Sequence, residues 1–173
     1  MGIIQAIFNK NQDETNFQIG DVYGLWDIAR NKVIGLTTLS IYYRQAESLE
    51  LKLLLKSGAD LLINSQISNI QKLLTEKGFD VPTNPNWKDK FDEDSTFEIP
   101  RHVIDDAEIV MTMREGFRLT LNLEAVALRN ATNLDVRKLI NKIVEEDNFS
   151  YAALLHFQRT KGWDDFPPML LPQ

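Results

Sequence analysis

The sequence predicts an all-α protein, a bundle of four helices arranged as two hairpins. Three observations carry this prediction. Apolar residues recur at steps of three and four along four long segments, the period of an amphipathic helix. Residues suited to helix caps punctuate those segments. The chain also repeats itself. Arg44-Gln45-Ala46-Glu47-Ser48-Leu49-Glu50-Leu51-Lys52 is matched in residue type, at an offset of 85, by Arg129-Asn130-Ala131-Thr132-Asn133-Leu134-Asp135-Val136-Arg137. Lys77-Gly78-Phe79-Asp80-Val81-Pro82 returns at an offset of 84 as Lys161-Gly162-Trp163-Asp164-Asp165-Phe166-Pro167. The expectation is an internal duplication, with two copies of one supersecondary unit filling the chain.

Residues 1–19 lack sustained periodicity and carry a polar middle from Asn9 to Asn16, so they read as a flexible N-terminal arm ahead of a bundle domain at 20–173. Gly20-Asp21 offers an N-cap, because a short acidic side chain accepts from the first free amide groups of a helix. Val22, Trp26, Ala29, Val33, Leu36, Ser40 and Tyr43 then mark one face of a first helix ending near Ala46. Ser48 caps a second helix with Leu51, Leu55, Leu62, Ile70 and Leu74 on its apolar side. That helix stops at Lys77-Gly78, a basic last turn followed by the glycine that tolerates a left-handed backbone.

Residues 79–99 form the only long connection, with Pro82, Pro85, Trp87 and Phe91 among charged residues. Pro100 suits the first turn of a third helix, where its missing N–H costs nothing. Val103, Ala107, Val110, Phe117, Leu121 and Leu128 form that helix's stripe. Asn133 caps a fourth helix carrying Val136, Ile140, Ile143, Leu154 and Phe157, which ends at Gly162. A Pro-rich, apolar tail runs from Trp163 to Gln173. A connection of about 20 residues exceeds the usual helix–helix loop and is long enough to cross from one end of a bundle to the other. Two antiparallel hairpins joined by one crossover is the connectivity of the ferritin-like four-helix bundle. A plain up-down-up-down bundle with a decorated middle loop is the alternative.

Helical hairpins that end in Lys77-Gly78-Phe79-Asp80-Val81-Pro82 and in Lys161-Gly162-Trp163 with Pro167-Pro168 resemble a Bacillus group of uncharacterised proteins related to the spore coat protein F family. The resemblance covers roughly residues 20–173. It implies a ferritin-like fold and a spore-associated or general structural role, and it supplies no catalytic residues, because these motifs are helix terminators.

Composition narrows the chemistry. The 173 residues are 43% hydrophobic and 25% charged, as in a soluble globular domain. A net charge of −6 argues against nucleic acid, which needs a basic surface. No stretch reaches the roughly 18 uncharged apolar residues of a membrane span, and Met1 to Phe8 lacks the basic start of a signal peptide. The expected location is cytoplasmic or spore-associated. Zero cysteines exclude disulfides, thiolate metal sites and Cys nucleophiles.

The fold invites a test for a di-metal carboxylate site, which needs a glutamate on each of two helices and Glu-x-x-His on each of the others. The chain has two histidines, His102 and His156, preceded at the required spacing by Ile99 and Ala153. The segment Ile28 to Ile41 has no acid, so no metal ligands, cofactor site or catalytic residues are assigned. Glu124, between Leu121 and Leu128, and Asp147, between Ile143 and Ser150, do fall near apolar stripes. A buried lone carboxylate is costly unless paired or protonated. Such residues read either as a degenerate metal or ligand site, or as partners of an arginine such as Arg30, Arg114 or Arg118. Counting residues from the Thr132 turn places the two about 10 Å apart along the bundle, too far to share one ion. His156 points off the stripe, toward solvent or toward Glu108. The runs Glu145-Glu146-Asp147 and Asp92-Glu93-Asp94 lack calcium-loop spacing and read as solvated faces. Adjacent apolar residues, Tyr42-Tyr43, Leu53-Leu54-Leu55, and Met111 with Met113, exceed what one stripe can bury and suggest a homo-oligomer, such as a dimer, or other spore coat proteins as partners. The expectation is a non-catalytic structural or interaction protein, with a small-ligand or metal-binding bundle as the alternative.

Overall fold

The structure is a computed structural model describing residues 17–82 and 103–163. The periodic segments are helices, and no strand occurs among the described residues. Helix α1 is Ile19–Gln45. Helix α2 is one rod of three stretches: α-helical Leu49–Ser57, π-helical Gly58–Ile63 and α-helical Asn64–Thr75. Helix α3 is Asp106–Asn130 and α4 is Leu134–Thr160.

Hydrogen bonds between helix starts and hairpin turns fix the topology. The Asp21 carboxylate, in the first turn of α1, accepts from the Thr132 and Asn133 amides (2.7 and 3.0 Å) and from the Thr132 hydroxyl (3.0 Å). At the other end, Asp106 in the first turn of α3 accepts from the Glu47 and Ser48 amides (2.7 and 3.0 Å). Each helix start therefore staples the other hairpin's turn. The donors and acceptors at the two ends correspond at the 85-residue offset. It follows that α1 is antiparallel to α3, whereas α2 and α3 start at the same end and run parallel. The residues that enter α3 begin at the end of the bundle where α1 finishes, with the Val103 amide donating to Gln45 Oε1 at 2.9 Å. This is the ferritin-like arrangement, not a simple up-and-down bundle.

The helix ends explain their own positions. Ser48 and Asn133 accept from the first amides of α2 and α4, as the sequence predicts. Gly78 and Gly162 have φ of 81° and 69°, the left-handed region. The next residues, Phe79 and Trp163, donate back to Leu74 and Gln158, which completes a Schellman closure at each end. Two helix starts differ from expectation. Asp21 is not the N-cap of α1; it sits in the first turn, accepts from the Gln18 amide at 2.8 Å, and leaves Gln18 at the cap. Nor does α3 begin at Pro100. It begins at Asp106, because Asp105 and Glu108 form a reciprocal capping box of 2.8 and 2.9 Å. Val103 accordingly precedes the helix and is exposed. The expected arm up to residue 16, Pro85 to His102 in the crossover, and the tail beyond Trp163 lie outside the described residues.

The core comes in two parts. One gathers Leu36, Leu39, Leu51, Leu55, Ile109, Val110 and Leu154. The other gathers Leu25, Ile28, Ile70, Leu74, Val136, Ile140 and Ile143. In α1 the buried face is Leu25-Ile28-Leu36-Leu39, so Trp26, expected in the core, is exposed, with the Arg30 guanidinium over its ring. In α2 the π stretch inserts about one residue. Leu51 and Leu74 are 23 positions apart, which a pure α-helix would leave about 140° out of phase; one extra residue cuts this to about 40°. Both are thereby fully buried, and Leu62, expected inside, turns to the edge.

Candidate functional site

Between the two apolar clusters lies a buried polar layer to which each helix contributes one residue: Lys32 from α1, Gln66 from α2, Glu124 from α3 and Asp147 from α4. None is more than 4% exposed. The Lys32 ammonium pairs with Glu124 Oε1 at 3.1 Å and contacts Asp147 Oδ2 directly. Gln66 Nε2 donates to Asp147 Oδ1 at 2.8 Å and reaches Glu146 Oε2 at 3.2 Å. Both carboxylate oxygens of Glu124 and the amide oxygen of Gln66 are buried without a hydrogen bond. One cation thus faces two acids, and the layer carries a net negative charge if both are ionised. Burial pushes the Glu124 carboxyl up to about 7; the Lys32 charge opposes the rise and the Asp147 charge adds to it.

Glu124 and Asp147 therefore do share one ion, contrary to the separation counted along the sequence. Helical side chains lean toward their own N-termini. In α3 that lean carries Glu124 away from the Thr132 turn, and in α4 it brings Asp147 toward it. The two converge on the long side chain of Lys32, which closes the remaining gap. The partner is a lysine and not one of the arginines considered: Arg114 and Arg118 pair with Glu115 on the surface, and Arg30 lies over Trp26. Asp147 is also an exception to its acidic run being a solvated face. His156 is exposed, and Glu108 is engaged in the α3 capping box. His102 and Asp92 to Asp94 lie outside the described residues. Among the described residues no group of three His, Cys, Asp or Glu side chains is placed to hold a metal ion, and no helix is long and apolar enough to cross a membrane.

Sequence reasoning found the two acids and missed Lys32 and Gln66. Their signal was positional. Lys32 stands four residues from both Ile28 and Leu36, and Gln66 stands three and four residues from Ile63 and Ile70. A lysine on an apolar stripe is easily read as the edge of the face, because its stem can snorkel.

The fold and this layer define a class: a ferritin-like four-helix bundle whose mid-section is held by a lysine–carboxylate cluster. The chain belongs to the family described as "Protein of unknown function (DUF3231)", whose model matches residues 5–173. Among solved structures it is similar to a candidate spore coat protein from Bacillus halodurans C-125, with 17% identity and a TM-score of 0.77, over 93% of this chain and 99% of that one. It is also similar to Dps from Thermosynechococcus elongatus, at 12% identity and TM-score 0.63, over 79% of this chain and 88% of that one. A conserved hypothetical protein from Mycobacterium tuberculosis matches at 10% identity and TM-score 0.61, over 80% and 96% respectively. At these identities the likeness is one of fold. No curated protein matches the chain in sequence.

Proposed function

We propose that this chain is a non-catalytic structural or interaction protein of the spore coat type, found in the cytoplasm of the sporulating cell or on the spore. The observation that carries the reading is the mid-bundle layer. In the interior of this bundle an internal cation, Lys32, lies between Glu124 and Asp147, and four-helix bundles that bind metal build their sites from inward-facing side chains of this kind. Likeness to a candidate spore coat protein over nearly the whole of both chains supports it. Its partners are a second copy of itself or other coat proteins, which would cover exposed apolar side chains such as Leu53 and Leu61 on α2 and Phe149 on α4. A fluorescent fusion followed through sporulation tests the role, and a signal that never reaches the forespore or spore overturns it.

A small-ligand or metal-binding bundle with a degenerate site is the second reading, favoured by the buried Glu124 Oε2 and Gln66 amide oxygen, which accept no hydrogen bond. Metal analysis of purified protein separates the two. Stoichiometric metal, together with a melting temperature that EDTA lowers and added metal restores, would favour this reading over the structural one.

A further inference from the structure

We propose that Lys32 and Asp147 are the two halves of an intramolecular isopeptide cross-link, and that the polar layer is the site that forms it. The structure assigns each of the four side chains a part. Lys32 Nζ is a primary amine held against the Asp147 carboxyl, and both side chains are buried. Gln66 Nε2 donates to Asp147 Oδ1, the oxygen on which negative charge develops when the carboxyl carbon is attacked. Glu124 Oε1 lies 3.1 Å from the same amine, and the Glu124 side chain is fully buried beside it. A carboxyl that titrates near neutrality can both take and return protons there.

The step balances without any co-reactant. The Glu124 carboxylate takes one proton from the ammonium and passes it to Asp147 Oδ2. The freed Nζ lone pair then attacks Asp147 Cγ, and Gln66 holds the resulting oxyanion. Glu124 removes a second proton from nitrogen and delivers it to Oδ2, the Cγ–Oδ2 bond breaks, and water leaves. An Nζ–Cγ amide has formed, Glu124 is as it began, and nothing has been oxidised or reduced. Two features drive the exchange. Fixed neighbours react with effective molarities of ~10⁵–10⁸ M. The product also replaces two buried charges, which are costly to desolvate, by one neutral amide. The bond would tie α1 to α4 and close a loop across 115 residues. That suits a protein that must persist, although the proposal stands or falls independently of any role in spores.

The test is the intact mass of the full purified chain, measured denatured after incubation at neutral pH. The expected value is lighter than the sequence by one water. The deficit should map by tandem mass spectrometry to a branched peptide joining the segments that carry Lys32 and Asp147. Lys32→Arg keeps the positive charge but offers no comparable nucleophile, and it should show the full mass. So should Glu124→Gln, with helicity by circular dichroism showing that the variant is folded. Wild-type protein that is folded yet has the full sequence mass overturns the proposal, as does a deficit mapping elsewhere. A Glu124→Gln chain that still loses the water overturns the part given to Glu124.

Discussion

Replacing Lys32 by methionine, compared with Lys32→Arg, which keeps the charge but forms no cross-link, isolates what the charge does. Methionine keeps an unbranched stem of similar length, so the void left is small, and the main loss is the cation between Glu124 and Asp147. Both acids are at most 1% exposed, so water cannot take over. Removing one partner from a buried pair costs about 3–5 kcal/mol, because it strands the other charge. That is a large part of the ~5–15 kcal/mol by which a domain is stable, and it corresponds to a fall in melting temperature of at least about 6 °C. The cost should depend on pH. Without the cation the Glu124 carboxyl, already raised to about 7 by burial, can still be neutralised by a proton, so the penalty should be largest at about pH 8 and shrink toward about pH 5. Urea unfolding followed by circular dichroism at both pH values measures this. A loss below about 1 kcal/mol at the higher pH would mean that the layer is wet or mobile, and the reasoning would fail.

Glu124 fixes the sign of another pH effect. Its folded value is raised to about 7 by burial first of all, so between about 4.5 and 7 the folded state holds a proton that the unfolded state has released. Stability attributable to this residue should therefore fall as pH rises through that window, and Glu124→Gln should flatten the slope; an unchanged slope assigns it to other groups. Asp21 and Asp106 act in the opposite sense. Burial alone would raise both, but hydrogen bonds from Asn133, Gln18 and Thr132 to Asp21, and from Ser48 and Glu47 to Asp106, prevail and lower them. Their contribution is present above the ordinary aspartate value and is lost as pH falls through the lowered one. Asp21→Ala and Asp106→Ala should each cost about 1–2 kcal/mol at neutral pH, and markedly unequal losses by urea unfolding would argue against equivalent staples. Leu36, 1% exposed in the first cluster, should cost about 2–5 kcal/mol as alanine; a smaller loss in thermal melts would mean that its cavity collapses freely.

The sequence made the architecture legible through its ends more than through its faces. Ser48, Asn133, Gly78 and Gly162 are legible because a cap is a local device, set by one side chain or one positive φ. Faces were harder, for two physical reasons. The π stretch at Gly58–Ile63 changes the phase of α2, and no 3.6-residue template anticipates it. In α1, the charge of Lys32 interrupts a stripe that would otherwise read Leu25-Ile28-Leu36-Leu39, which made the neighbouring line through Trp26 and Val33 look continuous. Asp21 and Asp106 were unreadable as staples because their acceptors serve turns about 110 and 60 residues away, and long-range hydrogen bonding leaves no periodicity. The layer itself was half legible: its acids interrupt stripes, whereas its lysine and amide pass for edge residues.

The position of the layer argues that the fold does not require it. At the 85-residue offset Lys32 corresponds to Phe117 and Glu124 to Leu39; at 84, Asp147 corresponds to Ile63 and Gln66 to Ser150. Phe117, Leu39 and Ile63 pack in the first apolar cluster, so at the equivalent level the other half of the bundle is closed by ordinary apolar contact. Ser150 turns its hydroxyl back to the Glu146 carbonyl. Positions related by the sequence offset thus hold apolar side chains in one set and charged or amide ones in the other. Buried ion clusters are commonly no more stabilising than the apolar residues that could replace them. A buried charged layer where apolar residues serve at the offset-related positions is therefore poorly explained by stability alone. Its four side chains are better explained by what they do to one another, and the amine of Lys32 against the carboxyl of Asp147 is the contact on which that explanation rests.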